Sequence, residues 1–259
     1  MTPGSNLASQ PASAAPEAAP QSFVSRLGGV YFSPGESFQE IGRAPRPVVP
    51  ILALAALTFV GTYLFFNRIG VERVFGQGIE QAVESGRLTP EQAEQQREGI
   101  RKIAPYAKYL MPVVFAVFIT VMILAIAGLA RLVSMIMGID NKFGPLFAVS
   151  LYAFLAVSLI SSVVLLALIY LKPVEEIDMQ NPVGSNLAAF AAFAGITLPK
   201  FLKFLLSYVD LFYIWKVVLL GIGYAAVSRR VKVSTAVTYT AAVAVVIAFI
   251  GAGWAAMFS

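Results

Sequence analysis

The chain has no cysteine and no histidine among its 259 residues. The first absence removes disulfide frameworks, thiolate zinc sites and cysteine nucleophiles. The second removes His-based triads, imidazole metal sites and His proton shuttles. Charge is scarce too: 13% of residues are Asp, Glu, Lys or Arg and 58% are hydrophobic, where soluble domains have about 25% and about 45–50%. Mean hydropathy is +0.76. Such a composition leaves little room for a water-soluble enzyme, and no catalytic residue, cofactor or metal is expected. The charge that remains is basic, net +5 with a pI near 9.5. In so apolar a chain this points to Lys and Arg on the cytoplasmic side of a membrane, near anionic lipid, rather than to nucleic acid.

Residues 1–22 are rich in Ala, Pro and Ser and carry one charge, Glu17. They cannot bury enough surface to offset chain entropy and are expected to be disordered. Ser33-Pro34-Gly35-Glu36 then reads as a helix start, with a capping Ser, a Pro at the first position and a Glu at the capping-box position. That helix should end near Arg43. Phe38 and Ile41 share one face, which predicts a helix lying on the membrane surface.

A bilayer core of about 30 Å needs roughly 20 apolar residues of helix. Five stretches qualify, at about 48–66, 110–138, 146–171, 204–227 and 233–258. The expected fold is therefore all-α: a five-span membrane domain over 23–259 with flanking amphipathic helices. Between the first two spans, the apolar spacing of Val71, Val74, Phe75, Ile79, Ala82 and Val83 predicts an amphipathic helix. Ser85-Gly86 breaks it, and Thr89-Pro90-Glu91-Gln92 starts another, so a helical hairpin is expected at about 70–108. Leu187–Leu198 is apolar but short for a span and is read as interfacial or re-entrant, with spanning as the alternative.

Within the spans, Ala236, Thr240, Ala244, Ala248, Ala252 and Ala256 recur every four residues and give the last span a small-residue face. Such a face serves bundle packing or, alternatively, a homodimer or another membrane-protein partner. Gly221 and Ala225 give the fourth span a shorter version. Thr120, Ala127, Arg131 and Ser134 share one face of the second span, where Arg131 is expected to snorkel. The fourth span carries Asp210 and Lys216, six residues and so about 120° apart, which rules out pairing between them. Arg131 and Lys216 are the intramembrane charge candidates, since ions at such depth are functional by default. The opposing reading of Lys216 is a single structural cation with no carboxylate relay beside it.

Three motifs, in order, carry a resemblance. Phe32-Ser33-Pro34-Gly35-Glu36-Ser37-Phe38 precedes the first span, Asn181-Pro182-Val183-Gly184-Ser185-Asn186-Leu187 precedes the fourth, and Asp210-Leu211-Phe212-Tyr213-Ile214-Trp215 lies within it, followed by Gly221 and Gly223. Together with five spans, over about residues 30–257, they resemble a prokaryotic member of the Yip (Ypt-interacting protein) domain family. The resemblance makes Pro34, Phe38, Asn186, Asp210, Phe212 and Trp215 the family-motif candidates. It implies a multi-pass membrane protein, in a bacterium of the inner membrane, with a cytosolic N-terminus. Eukaryotic relatives associate with Rab-type GTPases in vesicle budding and membrane organisation. The hairpin at 67–109 is not part of the eukaryotic pattern, so a GTPase partner is not carried over. The expected role is a membrane scaffold without enzyme activity, with a small-molecule or ion transporter as the alternative. Basic residues at Arg26, Arg43 and Arg46, at Lys142, and at Arg229, Arg230 and Lys232 mark one side as cytoplasmic, which places the C-terminus outside.

Overall fold

A computed structural model of the protein describes residues 21–179, 181–228 and 230–258. Most of the segment expected to be disordered, residues 1–20, lies outside the described residues. Among those described there is no strand, and ten α-helices make an all-α fold.

Two short helices, α1 (Phe23–Phe32) and α2 (Pro34–Arg43), come first. The side chain of Ser22 caps α1 by accepting from the Ser25 amide. Pro34 occupies the first turn of α2 as its fixed φ allows. Ser33 makes no side-chain capping bond, so the start of α2 rests on Pro34 and on Glu36 at the positive end of the helix dipole.

Among the described residues, five helices are long and apolar enough to cross a membrane: α3 (Val48–Ile69), α5 (Pro90–Ile136), α6 (Phe143–Leu171), α9 (Leu211–Ser228) and α10 (Val233–Phe258). The amphipathic helix expected after the first span is α4 (Val71–Glu84). Thr89 and Gln92 form the reciprocal capping box at the start of α5. The second arm of the hairpin and the second span are not separate elements. They form one helix of 47 residues, with Pro105 and Pro112 on one face where arm becomes span. Ile79, Ala93 and Ala107 are buried along the arm, and exposed ion pairs such as Arg97 to Glu80 decorate it.

The fourth span departs from the sequence reading. Residues 204–227 are not one helix: α8 (Lys200–Ser207) ends, the chain turns at Tyr208–Asp210, and α9 begins at Leu211. Ahead of them, α7 (Leu187–Phe193) has seven residues, far too few to span.

The N-terminal half of α6 is the centre of the bundle. From Leu146 to Val157 every residue is buried, enclosed by α1, α2, α3, α5 and α9. This corrects the surface placement expected for α2. Phe38 and Ile41 are fully buried, and α2 packs on α6 and α9. The reason is two glycines at the contact, Gly223 on α9 and Gly42 on α2 itself. A Cβ on Gly223 would meet the Val149 side chain and the Phe38 ring at 3.2 Å, and a Cβ on Gly42 would meet Val227 at 2.8 Å. Helix α1 is drawn in as well, where the Tyr31 hydroxyl donates to the Ala156 carbonyl at 2.7 Å. Arg26, counted in the sequence as a surface charge, is 1% exposed; it donates to the Ala44 carbonyl and pairs with Glu40 at 3.4 Å.

The small-residue face of α10 is turned inward. Ala236, Ala248 and Ala252 are buried, α10 packs on α8 and α9, and a Cβ on Gly221 would strike the Val237 backbone. Replacing Gly223 by Val should overpack the α2–α6–α9 junction and cost about 1–3 kcal/mol. Thermal unfolding in detergent should show a lowered midpoint that is partly restored by adding Phe38→Ala.

Candidate functional site

The break before α9 gathers two of the motif candidates that the sequence separates by more than twenty residues. Asn186 and Asp210 face each other in an isolated antiparallel bridge. The Leu187 amide donates to the Val209 carbonyl at 3.1 Å, and the Leu211 amide donates to the Ser185 carbonyl at 3.2 Å. Each residue also caps a helix. Asn186 Oδ1 accepts from the Ala189 amide at 2.9 Å to start α7, and Asp210 Oδ1 accepts from the Tyr213 amide at 2.9 Å to start α9. The second carboxylate oxygen of Asp210 accepts from the Ser185 hydroxyl, and Asn186 Nδ2 donates to Asn181 Oδ1 at 2.8 Å. The polar groups at this turn are thus satisfied locally: two motifs meet, and their side chains replace the backbone bonds that the helix break removes.

The rest of the third motif faces the bundle. Trp215 packs at 6.0 Å from the Tyr31 ring, and Phe212 and Trp215 both lie against the main core. Phe38 reaches the same core from α2 as its buried anchor, and Pro34 starts that helix. Five of the six candidates therefore serve the junctions around α9 directly, and Pro34 positions the fifth.

Of the charge candidates, Arg131 lies near the end of α5 and reaches back to the following loop. Its guanidinium donates to Asp140 at 3.0 Å and to the Asn141 carbonyl, and Asp140 is itself exposed. Ser134 and Asn141 are joined beneath it at 3.0 Å, so the polar stripe of the second span ends in a closed network.

Lys216 has a different setting. Its ammonium sits 4.7 Å from the ring centre of Phe154 and 4.9 Å from that of Tyr213. Among the described residues no carboxylate lies within ion-pair distance of it. It borders a cleft of about 360 Å³ whose wall includes Met122, Ile126, Leu220 and Val243. The sequence located the charge but not the cleft, because the cleft arises from how α5 and α10 are spaced. Among the described residues no three Asp or Glu side chains gather closely enough to hold a metal ion.

Replacing Asp210 by Ala should remove a helix cap and the Ser185 anchor together and cost about 1–2 kcal/mol. Asp210→Asn, which keeps a capping oxygen, should cost less; equal melting midpoints for the two variants in detergent would refute the capping role.

Comparison with known proteins bears on the same residues. The family model described as Yip1 domain matches residues 28–255, which spans all three motifs. No curated protein and no solved structure matches the chain.

Proposed function

The chain belongs to the Yip1 domain family, and on that footing we propose that it is an integral membrane scaffold that organises membrane or partner proteins through contacts rather than catalysis. The observation that supports this most is the arm. Helix α5 runs unbroken from the polar hairpin into the apolar bundle, and α4 packs along its first part. At 1.5 Å per residue, the arm from Pro90 to Tyr109 reaches about 30 Å beyond the apolar run. Its surface is polar and patterned, with Arg73 near Glu175 and with Arg97 and Arg101 near Glu94. That is a stiff, charged surface built for a partner. The inward-facing stripe of α10 offers no comparable face, since Ala248 and Ala252 are already covered by the chain itself.

The transporter alternative draws on the helix break beside the cleft, because broken helices are a feature of transporter sites. Here the unwound backbone is paired off by the Asn186–Asp210 bridge instead of lining a polar cavity, which favours the scaffold.

A photo-crosslinking residue placed at the exposed position Gln95 should capture a discrete partner in cells. Reversing Arg73, Arg97 and Arg101 to Glu should abolish that adduct and barely move the melting midpoint, since exposed ion pairs contribute about 0–1 kcal/mol each. Adducts unchanged by the reversal, or none at all, would overturn the reading.

The same proposal places the protein in the inner membrane with its N-terminus in the cytoplasm and its C-terminus and arm outside, on the distribution of Lys and Arg. The absence of native cysteine makes this direct to check. In intact cells a membrane-impermeant maleimide should label Gln95→Cys, while Ser5→Cys should require permeabilisation. The reverse pattern would invert the topology.

A further inference from the structure

Helix α5 packs on α3, α4 and α6, whereas α10 packs on α8 and α9. A cleft remains between α5 and α10, with α9 as its floor. The floor residues Tyr213, Lys216, Val217, Leu220, Tyr224 and Ser228 follow three-four spacing, so the cleft runs along the helix axis. From Lys216 to Ser228 it is about 18 Å long, the length of a long-chain acyl tail. Among the described residues, no charged side chain apart from Lys216 lines it.

The polar end is unbalanced. A buried cation is costly unless paired, and among the described residues the Lys216 ammonium has two aromatic faces and no anion in contact. The nearest acid along the helix, Asp210, is already engaged by the Tyr213 amide and the Ser185 hydroxyl. Tyr224, further along the floor, is engaged with Ser150 at 2.8 Å. The cleft therefore presents one point of positive charge at the end of an apolar trough.

We propose that this cleft binds a long-chain fatty carboxylate, its carboxylate on the Lys216 ammonium and its chain along Met122, Ile126, Leu220 and Val243. The charge is complementary, and the chain covers apolar walls that the protein leaves uncovered. A volume of about 360 Å³ lies at the low end of ligand cavities, which run from about 300 to 1,000 Å³, and accommodates one chain rather than two. A trough with room for one chain suits a single-chain carboxylate better than a two-chain phosphodiester lipid.

The test uses the full-length protein in nanodiscs and a palmitate analogue carrying a photoreactive diazirine. Adducts should map to the α5 and α10 walls, and palmitate should compete for them while methyl palmitate does not. Lys216→Met should lower labelling at least tenfold and Lys216→Arg should retain most of it. Ala244→Phe, which fills the trough and keeps the lysine, should also abolish labelling. Size-exclusion profile and melting midpoint establish that each variant is folded; if Lys216→Met is not, the Ala244→Phe result and the ester competition decide. Equal competition by methyl palmitate, adducts outside the cleft, or wild-type labelling of folded Lys216→Met would each overturn the proposal.

Discussion

The close approach of three helices at Gly223 is the constraint on which the rest of the bundle depends. With no side chain there, the Phe38 ring and the Val149 side chain both reach the backbone of α9. Within apolar surroundings, burying one apolar surface against another gains little from water, so association rests on dense packing. A glycine at the meeting point lets that packing form. Once Phe38 is seated, α2 is fixed along α6 and α9, α1 follows through Tyr31 and Arg26, and the buried half of α6 acquires a full shell. The opposite face of α9 repeats the device, where Gly221 admits the Val237 backbone of α10.

Polar groups in the bundle follow a second rule: each is spent close to where it stands. Asp210 and Asn186 cap helices and bridge the same turn, Ser150 takes both the Leu146 carbonyl and Tyr224, and Arg68 donates to the Ile169 carbonyl at the end of α6. Unpaired backbone in lipid costs several kcal/mol for each group, so a break such as that between α8 and α9 persists only with this compensation. Lys216 departs from the rule, as do the buried Nε and Nη2 of Arg26, which make no hydrogen bond although Nε lies 3.4 Å from Glu40.

Much of this was legible in the sequence, for identifiable reasons. The runs beginning near Val48, Phe143 and Val233 are long and uninterrupted, so hydropathy located them, and the Thr89–Gln92 capping box marked the start of α5 because its chemistry is local. Hydropathy could not see that α5 continues through the polar–apolar boundary, because a helix period carries no mark of where lipid begins. Nor could it divide 204–227, since Tyr208 and Val209 are as apolar as their neighbours and the turn depends on a strand-like pairing with distant Ser185 and Leu187. The burial of α2 was hidden in the same way. Phe38 and Ile41 give the pattern of a surface helix, and only the glycine opposite them, almost two hundred residues later, distinguishes a lipid-facing stripe from one built into the core. The motif residues were found by resemblance, but their mutual contact was not visible until the fold joined them.

The unbroken length of α5 gives the molecule a lever. Forty-seven residues make a rod of about 70 Å, with the charged arm at one end and the residues from Met122 to Met137 forming a wall of the cleft at the other. Pro105 and Pro112 each delete one backbone hydrogen bond near the fulcrum, so that is where the rod bends most easily. The arm and the wall of the trough are thus two ends of one helix that meet at its weakest point, so the orientation of one can vary without unpacking the other.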